Sequence, residues 1–409
     1  MQVFTPNNDT LRQAVQEYKD DPIACESKYG NIGDWETSQV TDMSRLFYAA
    51  REFNADISRW NTSQVTDMSH MFSDARVFNQ NIGNWDTSQV TNTSHMFAYA
   101  HAFNQNIGNW DTSQATDMRY MFTYAGTFNQ NIGNWDTSQV TNTSRMFANA
   151  HAFNQNIGNW DTSQVTNMSH MFCHAGVFNQ NLSAWDTSQV TNMSHMFYHA
   201  RAFNQNIGNW NTSQATDMRY MFTSARTFNQ NIGNWDVSRV TTMACMFWGA
   251  EVFNQNISNW NTSNVNNMYH MFGGTNVFNQ NISNWDTHNV MNMSYMFANA
   301  YAFNSDISRW VIRDNCKIYN IFKGATSFNG NVSRWNKPEL LEFVLKRRRA
   351  LVSSYRKIQR DMVSPPYIIN KIPRVVSNHM NEYDIYIYEE LMKRGHPGEA
   401  IFRRIAGFV

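Results

Sequence analysis

The sequence has no excess charge, no cysteine framework and no long apolar run, and each absence excludes a class of protein. Lysine plus arginine and aspartate plus glutamate number 32 each, so the chain lacks the positive excess of a dedicated nucleic-acid-binding protein. Cys25, Cys173, Cys245 and Cys316 lie far apart without motif spacing, which predicts neither a disulfide framework nor a zinc site. The sequence contains no run of about 18 apolar residues, so no transmembrane helix is predicted.

Targeting and catalytic motifs are missing as well. The opening MQVFTPNNDTLRQAVQEYKDD shows neither the basic nor the apolar region of a secretory signal, which leaves a surface, virion-associated or intracellular location open. The sequence contains no G-x-S-x-G, Walker, H-E-x-x-H or dinucleotide-binding pattern. We therefore expect no enzymatic activity and no cofactor.

What the sequence does contain is a tandem repeat, marked by a tryptophan every 25 residues from Trp35 to Trp335. With this tryptophan as position 10, twelve full copies occupy residues 26–325 and a partial copy ends at residue 336. One unit cannot bury its own apolar face, whereas stacked neighbours can. The pattern predicts a solenoid over residues 26–336. Asparagine at position 4 of nearly every copy predicts a ladder of side chains bonded to the backbone.

A typical unit, residues 151–175, reads HAFNQNIGNWDTSQVTNMSHMFCHA. Positions 3–9 predict a short strand, and Gly-Asn-Trp predicts a tight turn. The apolar positions 15, 18, 21, 22 and 25 have the spacing of an amphipathic helix, with cap residues at positions 11–13. The β-branched Val-Thr pair leaves a second short strand as an alternative.

The two ends of the chain depart from the repeat. Residues 1–25 are predicted to form a capping helix, centred on 9–20. Residues 337–409 carry 14 basic and 8 acidic residues, a net charge of +6, against 18 and 24, or −6, elsewhere. This basic segment is predicted to be helical from Pro338, with a break at residues 364–366 and a further helix near 380–394. Its run Lys346–Arg349 fits a solvated face, an acidic partner, anionic lipid, nucleic acid, or contact with the array itself.

The motif WDTSQVTNMSHMF followed by FNQNI, as at 160–172 and 178–182, resembles the BspA-type leucine-rich-repeat surface proteins, in the 25-residue variant found in mycoplasma lipoproteins. The resemblance covers roughly residues 9–336. It implies a leucine-rich-repeat-like solenoid of about twelve units, each with a short strand and a short helix or turn, used in adhesion or protein binding. The chain lacks the lipobox cysteine and wall-anchoring tail of the bacterial members.

Position 20 is the strongest candidate for a binding surface, because the helical interpretation places it opposite the apolar stripe. Exposed histidine, tyrosine and arginine are unlike a merely solvated face, although duplication of the unit is the alternative. The candidate residues are His70, His95, Tyr120, Arg145, His170, His195, Tyr220, His270 and Tyr295.

His170 and His174, with His195 and His199 one copy later, would share one patch if the segment were helical. Such pairs, four residues apart, can chelate zinc, copper or nickel, although no carboxylate lies near them in sequence and chance duplication is the alternative. The sequence thus predicts a non-enzymatic scaffold that binds a protein or glycan along the solenoid. Residues 337–409 would anchor it or mediate self-association. The alternative is a purely structural spacer in an envelope or virus particle.

Overall fold

The computed structural model describes residues 3–362, with side chains up to residue 355. Three α-helices flank the array: α1 (Asn8–Asp20), α2 (Pro22–Tyr29) and α3 (Pro338–Met362). Short 3-10 turns lie at Ile32–Asp34 and Ser333–Trp335. The further helix expected near 380–394 lies outside the described residues. No helix in the described part of the chain is both long enough and apolar enough to cross a membrane.

Successive copies stack so that each position lies beside the same position of the next copy. A parallel one-residue bridge joins position 17 of every copy to position 17 of its neighbour, from the pair Asp42 and Asp67 to the pair Asn292 and Lys317. Eleven such bridges connect the twelve copies. The tandem repeat expected from the tryptophan spacing is confirmed, and each copy forms one turn of a continuous coil.

Backbone hydrogen bonds hold each junction between copies. The N–H groups at positions 18, 20, 22 and 24 donate to the carbonyls at positions 17, 19, 21 and 23 of the next copy, as His170 N donates to Ser194 O at 2.9 Å. The intervening N–H groups at positions 21, 23 and 25 donate three residues back within their own copy, as Met171 N donates to Met168 O at 3.2 Å. Neither set is the bonding pattern of an α-helix.

The strand and the helix expected within each unit are therefore not formed, whereas the turn given as the alternative to the helix is present. Positions 3–7 form an irregular segment, and positions 19–24 form consecutive turns. The helix fails because alternate N–H groups pair with the next copy rather than four residues back. The second strand that the Val-Thr pair allowed is reduced to the single bridge at position 17. The turn predicted at Gly-Asn-Trp is present, for example at residues 83–84.

The core positions themselves are predicted well. Residues at positions 3, 7, 10, 15, 18, 21, 22 and 25 are almost all buried in one continuous cluster along the array. Phe172 stacks on Phe178 of the following segment at 4.0 Å and on Phe197 of the next copy at 5.6 Å. The indole N–H of Trp185 donates to Ile157 O of the preceding copy at 3.0 Å. A stripe of apolar residues can face inward without being helical. The predicted core residues are therefore buried as expected, although they do not form the predicted helix.

The asparagine ladder at position 4 is confirmed. The Asn154 Oδ1 accepts the backbone N–H of Asn179 at 2.9 Å and the side-chain amide of Gln180 at 3.0 Å. The same bond recurs from copy to copy, from Asn79 N to Asn54 Oδ1 through Asn329 N to Asn304 Oδ1. Each side chain satisfies a backbone donor that stacking would otherwise leave without a partner.

The helix predicted at residues 9–20 is confirmed as α1, which closes the first turn of the coil. Its side chains replace the donors of a missing preceding copy: Arg12 donates to Ser44 O at 2.6 Å, and Lys19 donates to Tyr48 O at 3.3 Å. Helix α2 was not expected and extends the cap past residue 25 into the first copy. Asp21 caps it by accepting the N–H of Ala24, and Pro22 occupies its first turn.

Helix α3 begins at Pro338, as the sequence predicts, and packs on the last copy. Val344 is buried in the core of the array. Arg347 donates to the carbonyls of Ala325 and Phe328, and Arg348 donates to Asn329 O at 2.8 Å. Part of the basic run therefore contacts the chain's own array, one of the interpretations that the sequence left open.

Candidate functional site: the turn face

Positions 17–25 of each copy form a turn segment with alternating inward and outward side chains. Positions 18, 21, 22 and 25 face the core, and positions 19, 20, 23 and 24 together form what we name the turn face. Positions 20 and 24 are half-buried or exposed in nearly every copy, whereas positions 19 and 23 are exposed mainly where they carry a large side chain and are buried in most copies with a small one. Positions 20 and 24 adopt the left-handed conformation throughout the array, as at His170 (φ 57°) and His174 (φ 59°). This conformation interrupts a helix and directs alternate N–H groups to the next copy.

The left-handed backbone restricts which residues these two positions accept. Asparagine, aspartate, histidine and glycine tolerate it best, whereas a β-branched side chain is strained there. No valine, isoleucine or threonine occurs at position 20 or 24 in any of the twelve copies. The left-handed backbone conformation therefore helps to explain the frequent histidine at position 20, an explanation that the sequence alone did not suggest.

We expect Asn149→Val to lower the free energy of unfolding by about 1–3 kcal/mol, because valine is strained at φ 59°. Asn149→Asp is the matched control, since aspartate occupies the same position at Asp74 with φ 60°. Denaturant titration of both variants measures the difference. A valine variant as stable as the aspartate variant would refute the left-handed assignment.

The candidate residues at position 20 form one row along the array, but they are half-buried rather than fully exposed. Neighbouring rings stack face to face, at 4.2 Å between the centroids of His70 and His95 and at 4.2 Å between those of His170 and His195. The row continues with His95 on Tyr120, His195 on Tyr220 and His270 on Tyr295, at 4.3, 4.6 and 4.8 Å. Arg145 bridges the row, with its guanidinium over Tyr120 at 5.4 Å and 3.5 Å from His170 Nε2.

Burial keeps the histidines of this row uncharged. The Nδ1 atoms of His95, His170, His195 and His270 are buried and have no hydrogen-bond partner in the part of the chain that the structure describes. Burial, with nearby cationic groups, lowers the pKa of His170 to about 3 and the pKa values of His95 and His195 to about 4. At neutral pH these three histidine rings are therefore uncharged.

The predicted metal site is not formed. Because the segment is not helical, His170 stacks on His195 in the position-20 row, and His174 stacks on His199 at 4.7 Å in the position-24 row. No group of three or more histidine, cysteine, aspartate or glutamate residues within 3–362 is arranged to hold a metal ion. The expected geometry of one four-histidine patch is therefore wrong.

The free cysteines offer no reactive group. Cys25, Cys173, Cys245 and Cys316 are all buried. Burial raises the pKa values of Cys173 and Cys245 to about 11, so both remain protonated thiols at neutral pH.

The exposed aromatic residues of the turn face were missed in the sequence, because the helical interpretation ranked position 20 above positions 19, 23 and 24. Tyr99 and Tyr124 are 44% and 39% exposed and stack on each other at 4.7 Å. Trp248 is 43% exposed and packs beside His270. Six tyrosine and tryptophan side chains in the described chain are strongly exposed: Tyr48, Tyr99, Tyr124, Trp248, Tyr301 and Tyr319. All except Tyr301 lie on the turn face, a clustering that could have been seen in the sequence by comparing all outward positions.

Arginines at position 19 are oriented by aspartates of the same turn. The Arg119 Nε lies 3.0 Å from Asp117 Oδ2, and the Arg219 Nε lies 2.9 Å from Asp217 Oδ2. Exposed pairs of this kind contribute little stability. Their effect is to fix the guanidinium groups at position 19, next in sequence to the rings at position 20.

Comparison with known proteins identifies the repeat. The family model described as Mycoplasma protein of unknown function, DUF285, matches residues 11–133, 120–235, 178–277 and 216–335. No curated protein matches the chain. The four overlapping matches together cover the array from the first copy into the partial copy, and the chain therefore belongs to the DUF285 family of tandem-repeat proteins.

Proposed function

We propose that the chain is a non-enzymatic scaffold that binds a protein or glycan ligand along its turn face. The observation that carries this proposal is the concentration of exposed tyrosine and tryptophan on that face. Tyrosine and tryptophan are enriched where binding energy is concentrated, because they bury large areas at low conformational cost.

The backbone explains histidine and asparagine on this face but not tyrosine. Tyr99 and Tyr124 adopt φ values of 61° and 59°, and a bulky side chain gains nothing from the left-handed conformation. Trp248 lies outside that conformation altogether, since it occupies position 23. Tyrosine at the conformationally unfavourable position 24, and an exposed tryptophan at position 23, where most copies bury a small residue, support a role in recognition.

The repetition of the face favours an extended ligand. Copies follow one another at about the spacing of paired strands, roughly 4.8 Å, so the twelve copies present a strip of roughly 60 Å. The resemblance to BspA-type surface proteins supports adhesion as the context. We also propose that the coil is a leucine-rich-repeat-type solenoid in which the strand has shrunk to one bridge per copy.

A purely structural spacer is the second candidate, and the unbroken stack favours it. At least four backbone hydrogen bonds cross every junction, and a helix packs against each end of the coil. A rod of this kind can separate two attachments without a ligand of its own.

A capture experiment from the native source separates the two candidates. The full chain is compared with a variant carrying Tyr99→Ser, Tyr124→Ser and Trp248→Ser, and with a control variant carrying Asp111→Ser, Asp136→Ser and Asp161→Ser on a different exposed row. We expect the aromatic variant to lose at least about tenfold in affinity for the captured partner while the control keeps it, since truncated anchors often cost 2 kcal/mol or more, by order of magnitude. Equal capture by both variants would contradict recognition by the turn face, and the structural spacer would remain as the proposed function.

A further inference from the structure

The last copy of the coil has a set of backbone N–H groups that the described part of the chain does not pair. In the eleven copies before it, the N–H groups at positions 18, 20, 22 and 24 all donate to the next copy. In the last copy these groups belong to Ile318, Asn320, Phe322 and Gly324, and they find no acceptor among residues 3–362. The N-terminal end differs, because α1 supplies donors to the carbonyls that a preceding copy would have bonded.

Helix α3 lies against this edge without satisfying it. The cationic side chains that α3 and the residue before it turn toward the last copies are Lys337, Arg347 and Arg348, and each donates to a backbone carbonyl. A cationic side chain cannot accept a hydrogen bond from an N–H group. Within residues 3–362, the edge of the coil is therefore open although a helix packs beside it.

A groove of about 760 Å³ runs between the open edge and α3. One wall is the edge itself, residues 318–324, and the other includes the apolar side chains of Leu340 and Phe343. Its volume is in the range of pockets that hold ligands.

The charges around the groove favour an acidic occupant. Lys323 and Arg347 line it beside a single carboxylate, Glu339. Lys317, at the start of the same edge, is exposed. The last copy is also the only one with lysine at positions 17 and 23, where the other eleven carry neutral or acidic residues.

We propose that this edge binds an extended acidic peptide segment of a partner protein. Four donors at alternate residues match the alternate carbonyls of an extended chain, which is how every interior junction is bonded. Apolar side chains of the peptide contact Leu340 and Phe343, and its carboxylates face Lys317 and Lys323. A second copy of the chain is disfavoured as occupant, because α1 already covers the carbonyl edge that it would present.

The probe is a fluorescent peptide with the sequence of residues 66–75, TDMSHMFSDA, the copy with aspartate at both position 17 and position 24. Anisotropy of the probe is measured with the full chain at low salt. We expect saturable binding that weakens about tenfold in the Lys317→Glu/Lys323→Glu variant, because opposed charges across an interface become like charges. An Arg201→Glu/Arg309→Glu variant, with the same change in charge at exposed sites elsewhere, should bind as the parent does.

Amide hydrogen exchange locates the bound peptide. Saturation with the probe should slow exchange at residues 318, 320, 322 and 324 in the full chain. No saturable binding, or equal binding by the two charge variants, would overturn the proposal. Slow exchange at these four amides in the free chain would also overturn the proposal. Protection that is independent of protein concentration would assign the edge to residues 363–409. Protection that increases with protein concentration would assign the edge to a second copy of the chain. If the two lysines only discourage edge pairing, no saturable binding of the probe is expected.

Discussion

Truncating Phe172 to alanine should lower the free energy of unfolding by about 3–5 kcal/mol, the usual cost of deleting a fully buried aromatic ring. The ring is completely buried and stacks on Phe178 at 4.0 Å and on Phe197 at 5.6 Å. Because each copy contacts only its neighbours, the lesion should also divide the array. We expect the single denaturant transition of the parent to separate into two, one for each side of the sixth copy.

Tyr124→Ala is the matched control for this effect. Its ring is also stacked on an equivalent residue of the neighbouring copy, but it is 39% exposed. Its loss should cost less than about 1 kcal/mol and leave a single transition. If Phe172→Ala behaves like Tyr124→Ala, the aromatic ladders do not couple the copies.

Acidification from pH 6.5 to about pH 4 should destabilise the array strongly. The pKa values of His95, His170 and His195 are about 4, 3 and 4 in the fold, whereas an unfolded histidine titrates near 6.5. The unfolded chain therefore binds protons first as the pH falls, and stability falls with it. Allowing for solvent screening of half-buried groups, we expect a loss of about 1 kcal/mol for each of these three histidines.

The charged groups that face the row strengthen the same trend. Arg145 lies beside His170, Arg119 disfavours a positive charge on His95, and Arg219 disfavours one on His195.

Aspartates such as Asp136 and Asp236 accept hydrogen bonds from serine, which lowers their pKa values below the usual range. The aspartates therefore destabilise the fold only at a pH below about 4, so their effect on stability can be separated from that of the histidines.

Tyrosine is the informative replacement, because Tyr120, Tyr220 and Tyr295 already occupy the same row. A variant with His70, His95, His170, His195 and His270 all changed to tyrosine should lose most of the dependence of stability on pH between 6.5 and 4. The exposed His101 and His151, changed to tyrosine, serve as the control and should leave that dependence intact. Denaturant midpoints measured across this range decide the matter, and an unchanged slope in the five-histidine variant would contradict the account.

Much of the fold follows from the repeat alone. The period of 25 residues specifies that equal positions stack, and the apolar pattern identifies Val165, Met168, Met171 and Phe172 as core. The asparagine ladder is predictable for the same reason, since a polar side chain repeated beside the core needs a backbone partner in every copy. The caps at α1 and α3 are readable from composition and helix signals.

The secondary structure within the unit was not predictable from spacing, because an inward stripe at i, i+3 and i+7 does not distinguish a helix from consecutive turns. The distinguishing signal is conformational: positions 20 and 24 exclude β-branched residues, and three of the last four copies carry glycine at position 24, at Gly249, Gly274 and Gly324. That signal becomes visible only when all twelve copies are compared column by column.

The candidate site was only partly predictable for the same reason. Position 20 does lie on the outward side, but stacking between copies half-buries it and removes the expected metal patch. Tyr99, Tyr124 and Trp248 were not predicted, because tyrosine and tryptophan occur at these positions in few copies, whereas recurrence in many copies is what indicated position 20. In a stacked array the structural residues repeat, and the exceptions are the better candidates for recognition.

Photo-crosslinking tests the central claim, recognition by the turn face, most directly. A photoreactive phenylalanine derivative is placed at position 99, 124 or 248 in one set of chains and at 111, 136 or 161, on the exposed aspartate row, in another. Illumination in the native source should attach the same partner to the first set and nothing specific to the second. Crosslinks from the aspartate row alone, or from neither set, would contradict recognition by the turn face.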